Sequence, residues 1–224
     1  DGKPFKTRSG GVMNLKDLID LAKEIEAKSV VQPNGINVYW LNNIDIARRD
    51  SHSIIYVGRF NNNKNVLRLI EAVQSLRAEI PDVQLNLVGG DGAQNERVIT
   101  KASENQEWLH YHGKIFDKKQ LRALYQQNSV FAMPSHHETF GLVYVEAMSQ
   151  GLNILCTKGE GIDGVLKKNV GEYVDSRSIE SIKVALRKLL NNNEAYELLS
   201  EDELMDFDWD RIARKYMELF KNIQ

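Results

Sequence analysis

The chain has 224 residues, enough for one large α/β domain, and its 29 lysines and arginines against 31 acidic residues give a formal net charge of −2. This balance excludes a general electrostatic attraction for nucleic acid, which depends on an excess of basic side chains. A single cysteine, Cys156, excludes an internal disulfide, and no apolar run approaches the ~20 residues of a membrane span.

The first part of the chain differs in pattern from the rest. The sequence begins with Asp rather than Met, so we expect a piece of a longer protein. Residues 14–28 have the apolar spacing of an amphipathic helix, and the Pro-Asn-Gly turn at 33–35 is typical of a domain junction. We therefore expect residues 1–37 to be the remnant of a preceding lobe together with its junction to a domain at 38–205.

That domain alternates short apolar runs with helical segments. Six runs have strand length and end near Gly, Pro or a polar turn: residues 53–58, 84–89, 108–113, 129–134, 153–157 and 171–175. Amphipathic helical spacing is found at 65–80, 117–127, 141–150 and 178–190. Because repeated strand–helix–strand units have right-handed crossovers, the pattern predicts a doubly wound, mostly parallel α/β sheet covered on both faces.

The last segment, residues 206–224, is predicted to be a separate helix. Asp208 has the position of an N-cap. An apolar stripe follows it, formed by Trp209, Ile212, Tyr216 and Phe220. The stripe packs either on this domain or on a lobe outside this sequence.

The first candidate site residues follow the first predicted strand. Ligands of open parallel sheets bind at the carboxyl ends of the strands. Here Gly58 ends the run, Arg59 follows it directly, and Lys64 lies where the next helix begins. A guanidinium, an ammonium, a glycine that permits close approach and a helix N-terminus together suit a diphosphate. The alternative is a polar loop with two solvated cations.

The second group of candidates lies in SHHETFGLVYVEAMSQG, after the fourth predicted strand. Glu138 lies in the loop, and Glu146 lies about one turn inside the next helix. Glu146 can accept two hydrogen bonds from a vicinal diol such as a ribose, whereas Glu138 can reach hydroxyls of the group that the diphosphate carries. Backbone N–H groups are expected to point into the same crevice, namely those of Phe140, Gly141 and Leu142. This spacing suits the two ends of a nucleotide-sugar.

Two motifs are the most specific stretches of the chain: IIYVGRFNNNKN at 54–65 and PSHHETFGLVYVEAMSQG at 134–151. Together they resemble the C-terminal, donor-binding domain of glycosyltransferase family 4, the group 1 transferases, which have the GT-B fold. The resemblance extends to the junction PNGI, the loop HGKI, and the closing FDWDRIARKY, which resembles the helix that crosses back to the N-terminal domain in that family.

The resemblance implies a role for each candidate. By that similarity, Arg59 and Lys64 hold the donor diphosphate and stabilise charge on the departing nucleoside diphosphate. Glu138 contacts the sugar, Glu146 binds the ribose, and the backbone near Ile115 meets the base. Family members retain the anomeric configuration without a metal or a cofactor, and UDP is their commonest donor nucleotide.

The sequence also departs from the family pattern at two places. Asn37 lies where the junction often has Asp, and KGEGIDG at 158–164 replaces the commoner Gly-Gly-x-x-Glu. The second departure leaves the role of that loop open.

The function implied by the resemblance is retaining transfer of a sugar from a nucleotide-diphosphate donor to a carbohydrate or lipid-linked acceptor, in polysaccharide or glycoconjugate synthesis. Two alternatives stay open: a nucleotide-sugar epimerase of the same GT-B build, and a catalytically silent nucleotide-binding subunit. We expect a cytoplasmic protein or one peripheral at the inner membrane face, and little transfer by this chain alone, because catalysis needs the acceptor held against the donor.

Two other kinds of site are less well supported by the sequence. GEGIDG at 159–164 matches a dinucleotide-binding pattern, but that pattern belongs after the first strand of its unit, and here it follows the fifth. A zinc site formed by histidines is geometrically conceivable, but no cysteine or acidic cluster completes it. The histidines concerned are His110, His112, His136 and His137.

Overall fold

The computed structural model describes residues 32–49 and 51–221, with side chains up to residue 220. The chain divides into two compact units between Gln32 and Pro33, and the fold below is that of the second unit. The helix expected at 14–28 lies outside the described residues. None of the described helices has the length and apolar character that crossing a bilayer requires.

The second unit alternates strands and helices along most of its length. In chain order, the elements are α1 (Val38–Leu41), β1 (Ser53–Arg59), α2 (Val66–Leu76), β2 (Gln84–Gly90), α3 (Asn95–Glu104), β3 (Leu109–Tyr111), α4 (Lys118–Tyr125), β4 (Val130–Ala132), α5 (Leu142–Met148), β5 (Asn153–Thr157), β6 (Gly171–Val174), α6 (Ile179–Asn191), α7 (Glu201–Leu204) and α8 (Trp209–Lys221). Short 3₁₀ turns lie on either side of α7, at Asn193–Ala195 and Met205–Phe207.

All six predicted strands form one sheet, in the order β3-β2-β1-β4-β5-β6, and every pair is parallel. The doubly wound α/β prediction is therefore confirmed. The strand order reverses between β1 and β4, where Ile54 pairs with Val130. At such a switch point the loops after the two central strands diverge and leave a crevice at the carboxyl edge.

Burial explains why the sequence patterns were readable. Every residue of β5 is buried, as expected of a parallel strand with helices on both faces. The predicted apolar face of α2 is at most 1% exposed, and it is formed by Val66, Leu69, Ile70, Val73 and Leu76. Side-chain caps fix other helix starts: Asp117 accepts from the Lys119 N–H and Ser178 from the Ser181 N–H.

The structure also corrects some boundaries. Helix α3 was not among the predicted helices, because only Val98 and Ala102 on it are buried and its apolar stripe is too narrow to read. The third strand is shorter than the predicted 108–113, since the Trp108 N–H bonds to Asn105 in a turn and Gly113 adopts φ +69°.

The C-terminal helix begins as predicted, with Asp208 Oδ1 accepting from the Arg211 N–H at 2.9 Å. Its apolar stripe is only partly packed on this unit. Ile212 is 2% exposed, whereas Trp209, Tyr216 and Phe220 are 54%, 47% and 68% exposed.

Candidate functional site

The loops that follow β1 and β4 meet in the crevice at the switch point. Asn63, in the first loop, accepts from the His136 N–H through its carbonyl at 2.7 Å. Its side chain donates to the His137 carbonyl at 2.8 Å and accepts from the His137 N–H at 3.0 Å. The two loops are thus joined by main-chain and side-chain hydrogen bonds, which hold their other side chains in a fixed relation.

Lys64 and Glu138 form an ion pair across this junction. Their side chains are 23% and 12% exposed, so the pair is largely removed from water. From the sequence, both residues are expected in one crevice, with Lys64 at a diphosphate and Glu138 at the hydroxyls of a sugar. The structure brings the two side chains into direct contact. Removing either partner alone would leave a poorly solvated charge, which is costly.

Asn65 is a residue that the sequence analysis missed. It adopts a left-handed backbone conformation with φ 58° and is 4% exposed. Its side-chain amide donates to the Pro134 carbonyl at 3.0 Å and to the Ser176 carbonyl at 2.7 Å. Asn is the residue type besides Gly that most readily adopts this conformation, and an Asn at the start of a predicted helix was the available signal.

Arg59 lies at the end of β1 and is exposed. The buried Tyr56 hydroxyl donates to the Arg59 carbonyl at 2.8 Å, which fixes the backbone there. Within the part of the chain that the structure describes, the Arg59 guanidinium makes no hydrogen bond or ion pair. Gly58 packs closely, because a Cβ at this position would lie 3.0 Å from the Tyr56 hydroxyl.

The entry to α5 requires a glycine. Gly141 has φ +78°, and a Cβ there would lie 2.6 Å from the Tyr144 ring. Among the described residues, no acceptor meets the N–H groups of Phe140, Gly141 and Leu142. The Phe140 side chain is 5% exposed and packs near Phe207, so Phe140 offers only its backbone to the crevice.

Glu146, on α5, faces different neighbours from Glu138. Burial raises the pKa of its carboxyl to about 6, while a hydrogen bond from the Trp40 side chain and the charge of Lys118 act in the opposite direction. Lys118 is the first residue of α4, directly after the loop that carries Ile115. Glu146 therefore lies on the side of the predicted base-binding loop, and Glu138 lies beside Lys64.

The loop between β3 and α4 contains Ile115, which packs against the core as a partly buried side chain. Its neighbour Lys114 forms an ion pair with Asp91 at 2.5 Å and so connects this loop to the end of β2. Phe116, the next residue, is 87% exposed.

The loop after β5 also reaches the site. Glu160 Oε2 accepts from the Glu138 N–H at 2.9 Å, and the Gly161 N–H donates to the Glu138 carbonyl at 2.8 Å. The role of this loop is open from the sequence alone, and Glu160 is not among the predicted site residues. The departure of KGEGIDG from the family pattern was the only signal.

The two less supported sites find no support in the geometry. Residues 159–164 form a loop after β5 that leads into no helix, unlike a dinucleotide-binding fingerprint. In residues 32–49 and 51–221, no group of three or more His, Cys, Asp or Glu side chains is placed to hold a metal. His110 and His112 instead bond to Gln84 and Asn86 on β2.

Comparisons with known proteins identify a family for most of the chain. The family described as "Glycosyl transferases group 1" matches residues 44–203. A probable sucrose-phosphate synthase of Thermosipho melanesiensis is 26% identical over 230 residues, covering 92% of this chain and 50% of that protein. A phosphatidyl-myo-inositol mannosyltransferase of Mycobacterium leprae is 26% identical over 200 residues, covering 85% of this chain and 53% of that protein. The chain thus spans about half the length of these curated relatives.

Solved structures agree on the fold. The pneumococcal O-GlcNAc transferase in complex with UDP and GlcNAc superposes with a TM-score of 0.67 at 18% identity, covering 93% of this chain and 44% of that one. This likeness shows that the chain has the same fold as the matched 44% of the pneumococcal protein.

Proposed function

The chain belongs to the group 1 glycosyltransferases, and from that premise we propose that its switch-point crevice binds the diphosphate of a nucleotide-sugar donor. The donor sugar is transferred to a carbohydrate or lipid-linked acceptor, with retention of the anomeric configuration and without a metal. The observation that carries this proposal is the arrangement of charge: the Lys64–Glu138 ion pair lies at the same sheet edge as Arg59.

This arrangement suits an exchange of partners. A diphosphate between Arg59 and Lys64 competes with Glu138 for the Lys64 ammonium, and two negative phosphate groups compete well against one carboxylate. The exchange frees Glu138 to accept hydrogen bonds from sugar hydroxyls. Arg59 and Lys64 then stabilise the charge that develops on the departing nucleoside diphosphate, which is electrostatic catalysis by preorganised cations.

The different surroundings of the two glutamates support different roles. Glu138 shares its environment with Lys64, next to the proposed diphosphate. Glu146 shares its environment with Trp40 and with Lys118 at the start of α4. We assign the sugar to Glu138, the ribose to Glu146, and the base to the backbone near Ile115.

The neighbouring amides complete the proposed donor site. Phe140, Gly141 and Leu142 present N–H groups for anionic oxygens. Gly58, within β1, makes room for the Tyr56 hydroxyl that fixes the Arg59 backbone. UDP as the donor nucleotide is supported by the UDP in the complex of the pneumococcal O-GlcNAc transferase. The epimerase alternative has no support among the relatives described above, all of which are named as synthases or transferases.

Calorimetric titration of the chain with UDP tests the proposal. Each charge-assisted hydrogen bond contributes on the order of 1.5–3 kcal/mol, so Arg59→Ala and Lys64→Ala should each weaken UDP binding by at least about tenfold. Lys101→Ala, in the last turn of α3, is the matched control and should bind UDP as the wild type does. Unchanged affinity for UDP in both site variants at moderate salt would show that the two cations do not hold the diphosphate.

The reaction class needs an assay of its own. With the full-length protein, UDP release from a UDP-sugar should depend on an added acceptor. Conversion of the donor sugar without an acceptor would indicate an epimerase, and absence of both reactions would indicate a silent binding subunit.

A further inference from the structure

The loop after β5 holds both main-chain polar groups of Glu138. The Glu138 N–H donates to Glu160 Oε2 at 2.9 Å, and the Glu138 carbonyl accepts from the Gly161 N–H at 2.8 Å. Glu160 Oε1 also lies 3.4 Å from His137 Nδ1. The orientation of residue 138 is therefore set by a loop that follows it in the chain only after α5 and β5.

The backbone of this loop is shaped for the contact. Gly161 has φ +60°, and a Cβ at this position would lie 3.1 Å from Glu138 Cγ and 3.2 Å from the Phe140 carbonyl. A larger residue would press on the side chain that the loop positions. On the opposite side, Asn63 holds His137 through both of its main-chain groups, so the segment is fixed from two neighbouring loops.

The charge of Glu160 bears on the direction in which its carboxylate points. Its side chain is only 20% exposed, and the residue whose backbone it contacts, Glu138, carries a second carboxylate at a crevice proposed to bind anions. Two like charges in such a place are unfavourable unless each has a partner. Glu138 has Lys64, whereas Glu160 has the Glu138 amide at Oε2 and the His137 ring near Oε1, so both oxygens of Glu160 face residues 137 and 138.

We propose that Glu160 is a positioning residue that orients Glu138 through its backbone amide, so that the Glu138 carboxylate meets Lys64 in the free protein and the donor sugar in the complex. The part that concerns the sugar rests on the proposed function. The part that concerns orientation is independent of any ligand.

Hydrogen exchange at the Glu138 amide tests the orientation. We expect Glu160→Ala to speed exchange of this amide by at least about tenfold, because a hydrogen bond to a charged acceptor is lost. Glu160→Gln should keep it slow, since the amide oxygen of Gln can still accept. Asp163→Ala is the matched control: it removes the bond from the Gly159 N–H to Asp163 Oδ2 within the same loop but none to Glu138. Unchanged protection in Glu160→Ala, or an equal loss in Asp163→Ala, would overturn the proposal.

Affinity for UDP and for UDP-glucose or UDP-N-acetylglucosamine tests the consequence. Glu160→Ala should leave UDP binding at least as tight as in the wild type and reduce the additional affinity contributed by the sugar. Glu160→Gln should restore that additional affinity. If Gln loses as much as Ala, Glu160 contacts the ligand through its charge, and the positioning role is wrong. A wild-type chain that binds none of these nucleotides refutes the proposed function, while the exchange of the Glu138 amide still decides whether Glu160 orients it.

Discussion

Replacing Glu146 with Gln should stabilise the free protein while weakening its binding of UDP. Burial raises the pKa of this carboxyl from 4.5 to about 6. In the folded state the carboxyl therefore holds its proton to a higher pH than in the unfolded state. Ionisation of Glu146 opposes folding, and the Gln side chain is free of this penalty while keeping the size of Glu.

The size of the effect follows from the pKa difference. A difference of one pKa unit corresponds to ~1.36 kcal/mol, so a shift from 4.5 to about 6 amounts to about 2 kcal/mol. The penalty is fully present above pH 6, declines between pH 6 and 4.5, and is absent below 4.5, where both states are protonated. Glu146→Gln should therefore raise the free energy of unfolding by up to about 2 kcal/mol at pH 7 and by almost nothing near pH 4.5.

Urea unfolding at a series of pH values measures this directly, and thermal unfolding at pH 7 should show a rise of roughly 4–8 °C in Tm. Glu104→Gln, an exposed glutamate at the end of α3, is the matched control and should leave stability within about 0.5 kcal/mol. The same Glu146→Gln variant should bind UDP more weakly, because Gln cannot accept two charge-assisted hydrogen bonds from a ribose. A variant that is less stable at pH 7, or a stability difference that does not change with pH, would refute this reasoning.

Three further changes test separate parts of the site. Glu138→Gln should leave UDP binding at least as tight as in the wild type, because Lys64 loses its competing carboxylate. The same variant should weaken binding of the UDP-sugar. Equal losses for both ligands in calorimetry would contradict the roles given to the glutamates. Gly141→Ala should lower the free energy of unfolding by more than the ~1 kcal/mol that a left-handed backbone alone costs a residue with a Cβ. Urea unfolding should show a smaller loss of stability for the control Gly164→Ala, where φ is +79° but no atom lies within 4 Å of an added Cβ. Cys156 is fully buried, and burial raises the pKa of its thiol to about 11. A thiol reagent at pH 8 should therefore label it only slowly, through opening of the structure. Fast labelling of the folded chain would show that the β5 region opens.

The fold was predictable because the sheet is regular. Each predicted strand is a short apolar run, and β5 was predicted with its observed ends, since both of its faces are buried and turns flank it. Helix α3 escaped prediction because it packs on the sheet through few apolar residues. The apolar periodicity of a helix sequence reflects the face that the helix buries. A helix that buries few side chains therefore has only a weak apolar pattern in its sequence.

The candidate site was only partly predictable. The sequence indicated which loops carry charge at the carboxyl edge, because sheet topology brings those loops together. It did not show that Lys64 and Glu138 pair, since they are 74 positions apart and their contact depends on the loop conformation that Asn63 and Asn65 fix. Glu160 is a further example, because its acceptor role depends on the direction of a single backbone N–H.

A crystal structure of the chain with UDP tests the central claim most directly. We predict that the diphosphate oxygens lie within hydrogen-bond distance of Lys64 Nζ and the Arg59 guanidinium, that Glu138 has left Lys64, and that the ribose hydroxyls contact the Glu146 carboxylate. UDP bound elsewhere on the chain, or bound in the crevice with the Lys64–Glu138 ion pair intact, would contradict it.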